Sequence, residues 1–393
     1  MDLRGGVTKT GSRTVVRCAL AVCILAVLPE RLRADAFSGY QLAEMFSLPA
    51  GAGPFDLLAD GRIVTLVNSD VYAESTRGSR VFALQGTLPG ANIASFGAAF
   101  IRVSPNGAKL AVGDNVDKVG VFSVDTLSGA WFTTPHFEAE WYDNAHLAIS
   151  SSGQVTLLDT DSPDVLRPIN PPVVVNVGGA PAGVTFDPAG NLYTGNGFQY
   201  AGPSGTGTIK AFPYPAWSAA LVGGPAVNFE TGGVLVADLL SASPLAFDRQ
   251  DNLLVGGGDF IGGTDIDFAA LVRASAVARA LGGGGPADSA NPNEVRRLDP
   301  DASTALDFYY VNANPVTHEL YLRNFGDDHV FVYVDTTGIP TITQWGAVAM
   351  TIIILTCGTL IVRNRPGTVY IALTSMSHSI SNADEVHRGG AGA

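Results

Sequence analysis

Short apolar runs broken by turn-forming residues recur along the middle of this chain. Phe186-Asp187-Pro188-Ala189-Gly190-Asn191-Leu192 returns as Phe247-Asp248-Arg249-Gln250-Asp251-Asn252-Leu253, an offset of 61 residues. At the same offset Gly195 and Gly197 become Gly256 and Gly258, and Gly223-Gly224-Pro225-Ala226 becomes Gly284-Gly285-Pro286-Ala287. Several anchors in one ungapped register mark a duplicated supersecondary unit. Looser copies of the same grammar span residues 55–64, 100–113, 140–149 and 314–322. In each, an apolar run ends at Asp, Asn, Pro or Gly, which bend the chain back, and a second apolar run returns beside the first. A third run follows at 80–84, 120–124, 154–158, 208–212 and 330–334. Six such units of roughly 40 to 65 residues predict an all-β domain, a β-propeller of about six blades. A β-sandwich or a solenoid is the alternative arrangement of the same strands. Residues 41–48 are expected to supply a strand that closes the ring against the last blade. Residues 267–281, rich in Ala and Leu, overlay 206–220 in the 61-residue register and predict a distorted third strand with an inserted turn of helix.

The two ends break the pattern. The first 17 residues are basic, and the continuously apolar CALAVCILAVL (18–28) follows, then Ala34-Asp35-Ala36. These are the three regions of a secretory signal with an A-x-A cleavage site at Ala34 and Ala36, and the apolar run is too short to span a bilayer. At the other end Ile339-Pro340-Thr341-Ile342-Thr343-Gln344-Trp345-Gly346 leads into an apolar stretch to Val362, closed by Arg363 and Arg365. As a helix at ~1.5 Å per residue, the run from Trp345 to Val362 is about 27 Å long, just enough to cross a membrane once. Trp345 would mark one interface and the arginines the cytoplasmic side. The expected organisation is therefore a signal peptide (1–36), a repeat domain (37–338), a sorting and transmembrane segment (339–365) and a disordered tail (366–393).

That C-terminal run resembles the bacterial IPTL-type C-terminal sorting domain, which joins an I-P-T-x-x-x-W-G motif to an apolar helix and a basic cluster. The resemblance covers Ile339 to Arg365 and implies an envelope transpeptidase of the exosortase kind as a partner acting on this signal. Family members stop just after the arginines, whereas this chain continues from Pro366 to Ala393. The repeat body is similar to NHL- and YVTN-type propellers, whose blades read strand, D-x-x-G-N, strand, polar loop, strand. Together the ends imply an exported protein of the bacterial cell envelope or cell surface, anchored at least transiently in the membrane.

Composition narrows the chemistry. The net charge is −13. Removing residues 1–36, with six basic and three acidic side chains, leaves 17 basic and 33 acidic ones, a net −16. Such a surface repels phosphate backbones, so nucleic acid is excluded as a partner. The cysteines, Cys18, Cys23 and Cys357, all fall in the terminal segments, which leaves the repeat domain without thiol chemistry or disulfides. No G-x-S-x-G, H-E-x-x-H, C-x-x-C or Walker loop is present. His136, His146, His318 and His329 lack metal-ligand spacing and read as surface or turn residues. Asp159 to Asp164 alternates carboxylates, but Pro163 and Asp164 break the calcium-loop pattern, so it reads as a turn.

Propeller geometry nominates other positions. The loops after each second strand fall on one face around the channel and carry Asn68, Asp70, Asp114, Asn115, Asn196, Asp259, Asn324, Asp327 and Asp328. Oxygen side chains repeated radially can converge on one ligand or on Ca²⁺. In calcium-dependent propeller lactonases and gluconolactonase-like enzymes, residues at such positions hold the catalytic metal. Asn and Asp also simply favour turns. The leading expectation is a non-enzymatic binding module for a protein or glycan ligand; the alternative is a metal-dependent propeller hydrolase or lactonase.

Overall fold

The computed structural model describes residues 40–90, 93, 99–161, 172–178, 183–196, 208–239, 242–257, 268–298, 308–324 and 329–335. All belong to the first of two units, Met1–Thr336 and Thr337–Ala393. The signal residues Ala34 and Ala36, the sorting residues Ile339, Pro340, Thr341, Trp345, Gly346, Arg363 and Arg365, and the apolar stretch between them lie outside the described residues. Among the described residues no helix is long and apolar enough to cross a membrane.

The described residues open with β1 (Tyr40–Ser47), and one sheet after another follows. Blade I is β2 (Ala52–Leu57), β3 (Ile63–Val67), β4 (Asp70–Glu74) and β5 (Phe82–Thr87). Blade II is β6 (Phe100–Val103), β7 (Lys109–Gly113), β8 (Lys118–Ser123) and β9 (Gly129–Thr133). Blade III is β10 (Glu138–Trp141), β11 (His146–Ser151), β12 (Gln154–Asp159) and β13 (Val173–Asn176). Blade IV begins with β14 (Val184–Phe186), β15 (Leu192–Gly195) and β16 (Thr208–Phe212). The short β17 (Val227–Asn228) then leaves it to pair in parallel with β13, and β18 (Val234–Asp238) completes it. Blade V is β19 (Ala242–Phe247), β20 (Leu253–Gly257), β21 (Phe268–Val272) and β22 (Val295–Arg297). Blade VI is β23 (Phe308–Ala313), β24 (Leu320–Asn324) and β25 (His329–Asp335), and its outer strand is β1, antiparallel to β25 from Tyr40↔Asp335 to Ser47↔His329. The fold is a six-bladed β-propeller in which the first strand of the domain closes the last blade.

Two-sided packing explains the sequence pattern. Each innermost strand packs against the next, and β23 returns to β2. Six apolar clusters fill the spaces between neighbouring blades. In β7, Leu110 and Val112 face blade I while Ala111 faces blade III. In β20, Leu253 and Val255 face blade IV while Leu254 faces blade VI. Successive side chains point to opposite faces of a strand, and both faces are covered, so these strands read as unbroken apolar runs.

The 61-residue repeat has a physical cause in blades IV and V. Asp187 Oδ1 accepts the backbone N–H groups of Ala189 and Asn191 at 2.9 Å, and Asp248 Oδ1 accepts those of Gln250 and Asn252 at 2.8 Å. Asn191 and Asn252 in turn accept the first backbone N–H of the helix after the third strand, from Tyr214 and Ala274. Those helices are α1 (Tyr214–Ser218), extended by a 3₁₀ turn at Ala219–Val222, and α3 (Ala274–Leu281); the four-residue α2 (Phe229–Gly232) lies between them. The Gly-Gly-Pro-Ala anchor then carries the chain back to the preceding blade: β17 joins β13, and Ala287 bridges to Ala237.

Two expectations are adjusted. Of residues 80–84, Phe82 to Leu84 belong to the outer strand β5; the third strand of blade I is β4, which follows the tight turn at Asn68–Ser69. Residues 267–281 separate into a regular strand, β21, and the two-turn helix α3.

Candidate functional site

The innermost strands hold polar residues where an apolar core would be expected. Asp56 on β2, Arg102 on β6 and Glu138 on β10 are buried, and so is Arg323 on β24, the second strand of blade VI. Together with Glu140, Tyr310 and Asn312 they join four consecutive blades at the axis. Arg323 donates from Nη2 to the carbonyl oxygen of Ala52 at 2.7 Å and from Nη1 to that of Gly53, tying blade VI to blade I. Asn312 donates its amide to Asp56 Oδ1, a second tie across the same seam. Asp56 Oδ2 accepts the backbone N–H of Val103 at 2.5 Å and ties blade I to blade II. Arg102 reaches blade III: Nε donates to the carbonyl oxygen of Ala139 at 2.9 Å, Nη2 pairs with Glu138 at 2.9 Å, and Nε approaches Glu140 at 3.4 Å. Trp141 returns the link by donating Nε1–H to the carbonyl oxygen of Arg102 at 3.1 Å. The seam between blades IV and V uses a different device. At Gly183 the backbone of blade IV approaches blade V so closely that a Cβ there would lie 2.7 Å from the N of Leu245.

Burial strengthens the hold of each acid in this cluster on its proton. Burial raises the pKa of Asp56 and of Glu138, with Arg102 pulling each the other way. Glu140 is pushed up to about 8, chiefly by burial, although 27% of its side chain stays accessible. Tyr310 is pushed up to about 12, chiefly by burial, and feels Glu138 from three blades away. Loss of hydration disfavours each ionised carboxylate, and Arg102 offsets only part of it.

The loop positions nominated from the sequence take up a different role. Asn68 occupies the left-handed region, φ 53°, in the β3–β4 turn. Asp70 accepts the hydroxyl of Thr87 at 2.5 Å. Asp114 is buried, and its Oδ1 accepts the backbone N–H groups of Val116 at 2.9 Å and Lys118 at 2.8 Å; Asn115 beside it is exposed. Asn196 Oδ1 accepts the N–H of Thr208 at 2.9 Å. The Asp114 and Asn196 oxygens hold their own loops, whereas Asp70 ties β4 to β5. Asp259, Asp327 and Asp328 lie outside the described residues, as does the side chain of Asn324. Among the described residues no three His, Cys, Asp or Glu side chains are grouped to hold a metal ion. Asp159 accepts the N–H of Asp161, as a turn residue does.

His136 departs from the surface reading. It is buried against Phe100, with Nδ1 facing the carbonyl oxygen of Thr134 at 3.0 Å and Nε2 facing that of Asp114. It therefore fixes the Asp114 loop of blade II to the entry of blade III. Beside it two apolar side chains stand in solvent on the loop face, Val116 at 72% and Phe137 at 43% exposure.

No family model matches the chain, the C-terminal motif included, and no curated protein matches it. Among solved structures the chain is similar to one described as "Crystal Structure of Mitotic Checkpoint Complex", at 12% identity and a TM-score of 0.45, over 75% of this chain and 91% of that one. It is likewise similar to the "Holo form of Pyranose Dehydrogenase PQQ domain from Coprinopsis cinerea", at 11% identity and a TM-score of 0.45, over 75% and 97% of the two chains. Likenesses at this level add nothing to the strand order described above.

Proposed function

We propose that this chain is an exported protein of the bacterial cell envelope whose propeller is a non-enzymatic binding module. The terminal patterns support the address: a basic, apolar and A-x-A start ending at Ala36, and Ile339-Pro340-Thr341, Trp345-Gly346, an apolar stretch and Arg363 and Arg365 at the other end. In this reading an envelope transpeptidase acts on the C-terminal signal, and the apolar stretch holds the protein in the membrane at least transiently. The observation that carries the binding role is the use of polar groups. Asp114 and Asn196 hold their own loops, Asp70 ties β4 to β5, and Arg102 is spent on protein carbonyls and carboxylates. What the described part of the loop face offers a partner is a pair of exposed apolar side chains, Val116 and Phe137, beside the exposed Asn115. That surface suits a protein or glycan ligand and not a hydrolytic centre.

Mass spectrometry of the mature protein tests the address. A product that starts near Phe37 and lacks the segment beyond Trp345 is the expected result. An intact Met1 on the surface-fractionated protein would remove the export reading. Binding is tested by cross-linking on intact cells with wild type and with the V116S/F137S variant. Loss of the captured species in the variant is expected, and equal capture by both would move the site elsewhere.

A further inference from the structure

The axial cluster gathers three carboxylates around one of its two guanidinium groups. Around Arg102 of β6 stand Asp56 of β2 and both Glu138 and Glu140 of β10. Tyr310 of β23 adds a neutral phenol, and Arg323 of β24, with its guanidinium 5.3 Å from the Tyr310 ring centre, spends its terminal nitrogens on the Ala52 and Gly53 carbonyls. The innermost strands of blades IV and V, Val-Thr-Phe and Ala-Ser-Pro-Leu-Ala-Phe, bring no titratable side chain. His136 lies two residues before Glu138 but turns to Asp114 and Phe100. Every bond that crosses from blade II to blade III at the axis involves Arg102 or its carbonyl among the described ties. Three like charges around one cation in an enclosed space repel one another, and a retained proton removes one of them.

We propose that this cluster is a proton-operated latch: the seam between blades II and III is tight while one carboxylate keeps its proton and slackens when that proton leaves. Glu140, the most accessible of the three, is the exchanging group. Its position near the solvent gives the proton a route that Asp56 and Glu138 lack. Phe137 directly precedes β10, and His136 ties the Asp114 loop to the same strand, so slackening reaches the exposed Val116 and Phe137. In a protein facing the outside, the pH that operates the latch is that of the medium; the latch itself does not depend on the binding role proposed above.

Hydrogen exchange on the full-length chain at pH 6 and pH 9 tests this, with protection corrected for intrinsic exchange rates. Peptides covering Phe100–Val103 and Glu138–Trp141 are compared with Leu192–Gly195 and Leu253–Gly257, whose blades lack the cluster. The expected result is a loss of protection at the seam at pH 9 of about tenfold or more relative to the reference strands. The E140Q variant, which keeps the shape and cannot ionise, is expected to hold seam protection within about threefold. Parallel behaviour of seam and reference strands in wild type would overturn the proposal, and so would an E140Q seam that loosens as wild type does.

Discussion

The phenol of Tyr40 donates to Asp248 Oδ2 at 2.8 Å, across 208 residues of chain. In the sister unit the same bond is made within the blade, where Tyr193 donates to Asp187 Oδ2 at 2.9 Å. The position 61 residues after Tyr193 is Leu254, which has no hydroxyl to offer, and the ring-closing strand supplies one in its place. Ring closure is therefore specified by a polar contact as well as by the pairing of β1 with β25.

The Y40F variant tests that specification. It leaves the Asp248 carboxylate short of one donor in a buried setting, and a loss of about 1–2 kcal/mol is expected in urea unfolding. Y193F removes the equivalent bond from an interior blade and is expected to cost a similar amount. The two differ in where the damage shows: Y40F opens β1 to limited proteolysis, whereas Y193F leaves β1 protected.

Arg102 is a stronger test of the axis. Replacing it with Met leaves Glu138 enclosed without its 2.9 Å partner, and a loss of about 3–5 kcal/mol is expected. Adding E138Q and E140Q to R102M removes the stranded charges and is expected to recover more than half of that loss. If the triple variant is as unstable as R102M alone, the cost lies in packing and not in charge.

Stability is also expected to depend on pH with a definite sign. Glu140 binds its proton more tightly when folded, at about 8 against an ordinary 4.5, so between those values the folded chain holds a proton that the unfolded chain releases. That contribution is fully present below about 4.5 and is lost as pH rises through about 8. Thermal melts from pH 5 to pH 9 should show a falling Tm in wild type and a flatter profile in E140Q. A Tm that rises over this range would reverse the assignment.

Much of the fold could be read from the chain, and the reason is local. The Asp187 and Asp248 turns are built from residues close in sequence, and the strands they join are buried on both faces, so the turn chemistry and the apolar runs announce themselves together. Strand β4 was hidden because its turn is only two residues long and its sequence, Asp-Val-Tyr-Ala-Glu, alternates less clearly. The axial site was less legible. Asp56 and Arg102 sit inside repeat copies, where their neighbours draw attention to turns, and the partners Asp56–Asn312 and Arg102–Glu138 are far apart in sequence. A usable signal was nevertheless there: a charge inside the first apolar run of a unit, as in Phe-Asp-Leu, Ile-Arg-Val and Glu-Ala-Glu-Trp. A buried charge in a strand of this kind requires a partner, and propeller geometry brings first strands together at the axis.

Calcium provides the last test, because it separates the loop oxygens as turn formers from the same oxygens as ligands. Asp114 already accepts two backbone N–H groups, from Val116 and Lys118, and a cation would have to compete with both. Adding millimolar Ca²⁺ or excess chelator is therefore expected to move the Tm by less than about 1 °C, since a ligand stabilises only the state that binds it. D114N keeps an oxygen acceptor for the loop and is expected to be mild, whereas D114A removes both bonds and is expected to cost about 1–3 kcal/mol with or without calcium. A chelator-sensitive Tm that D114A abolishes would return a metal to the loop face and reopen hydrolytic chemistry there.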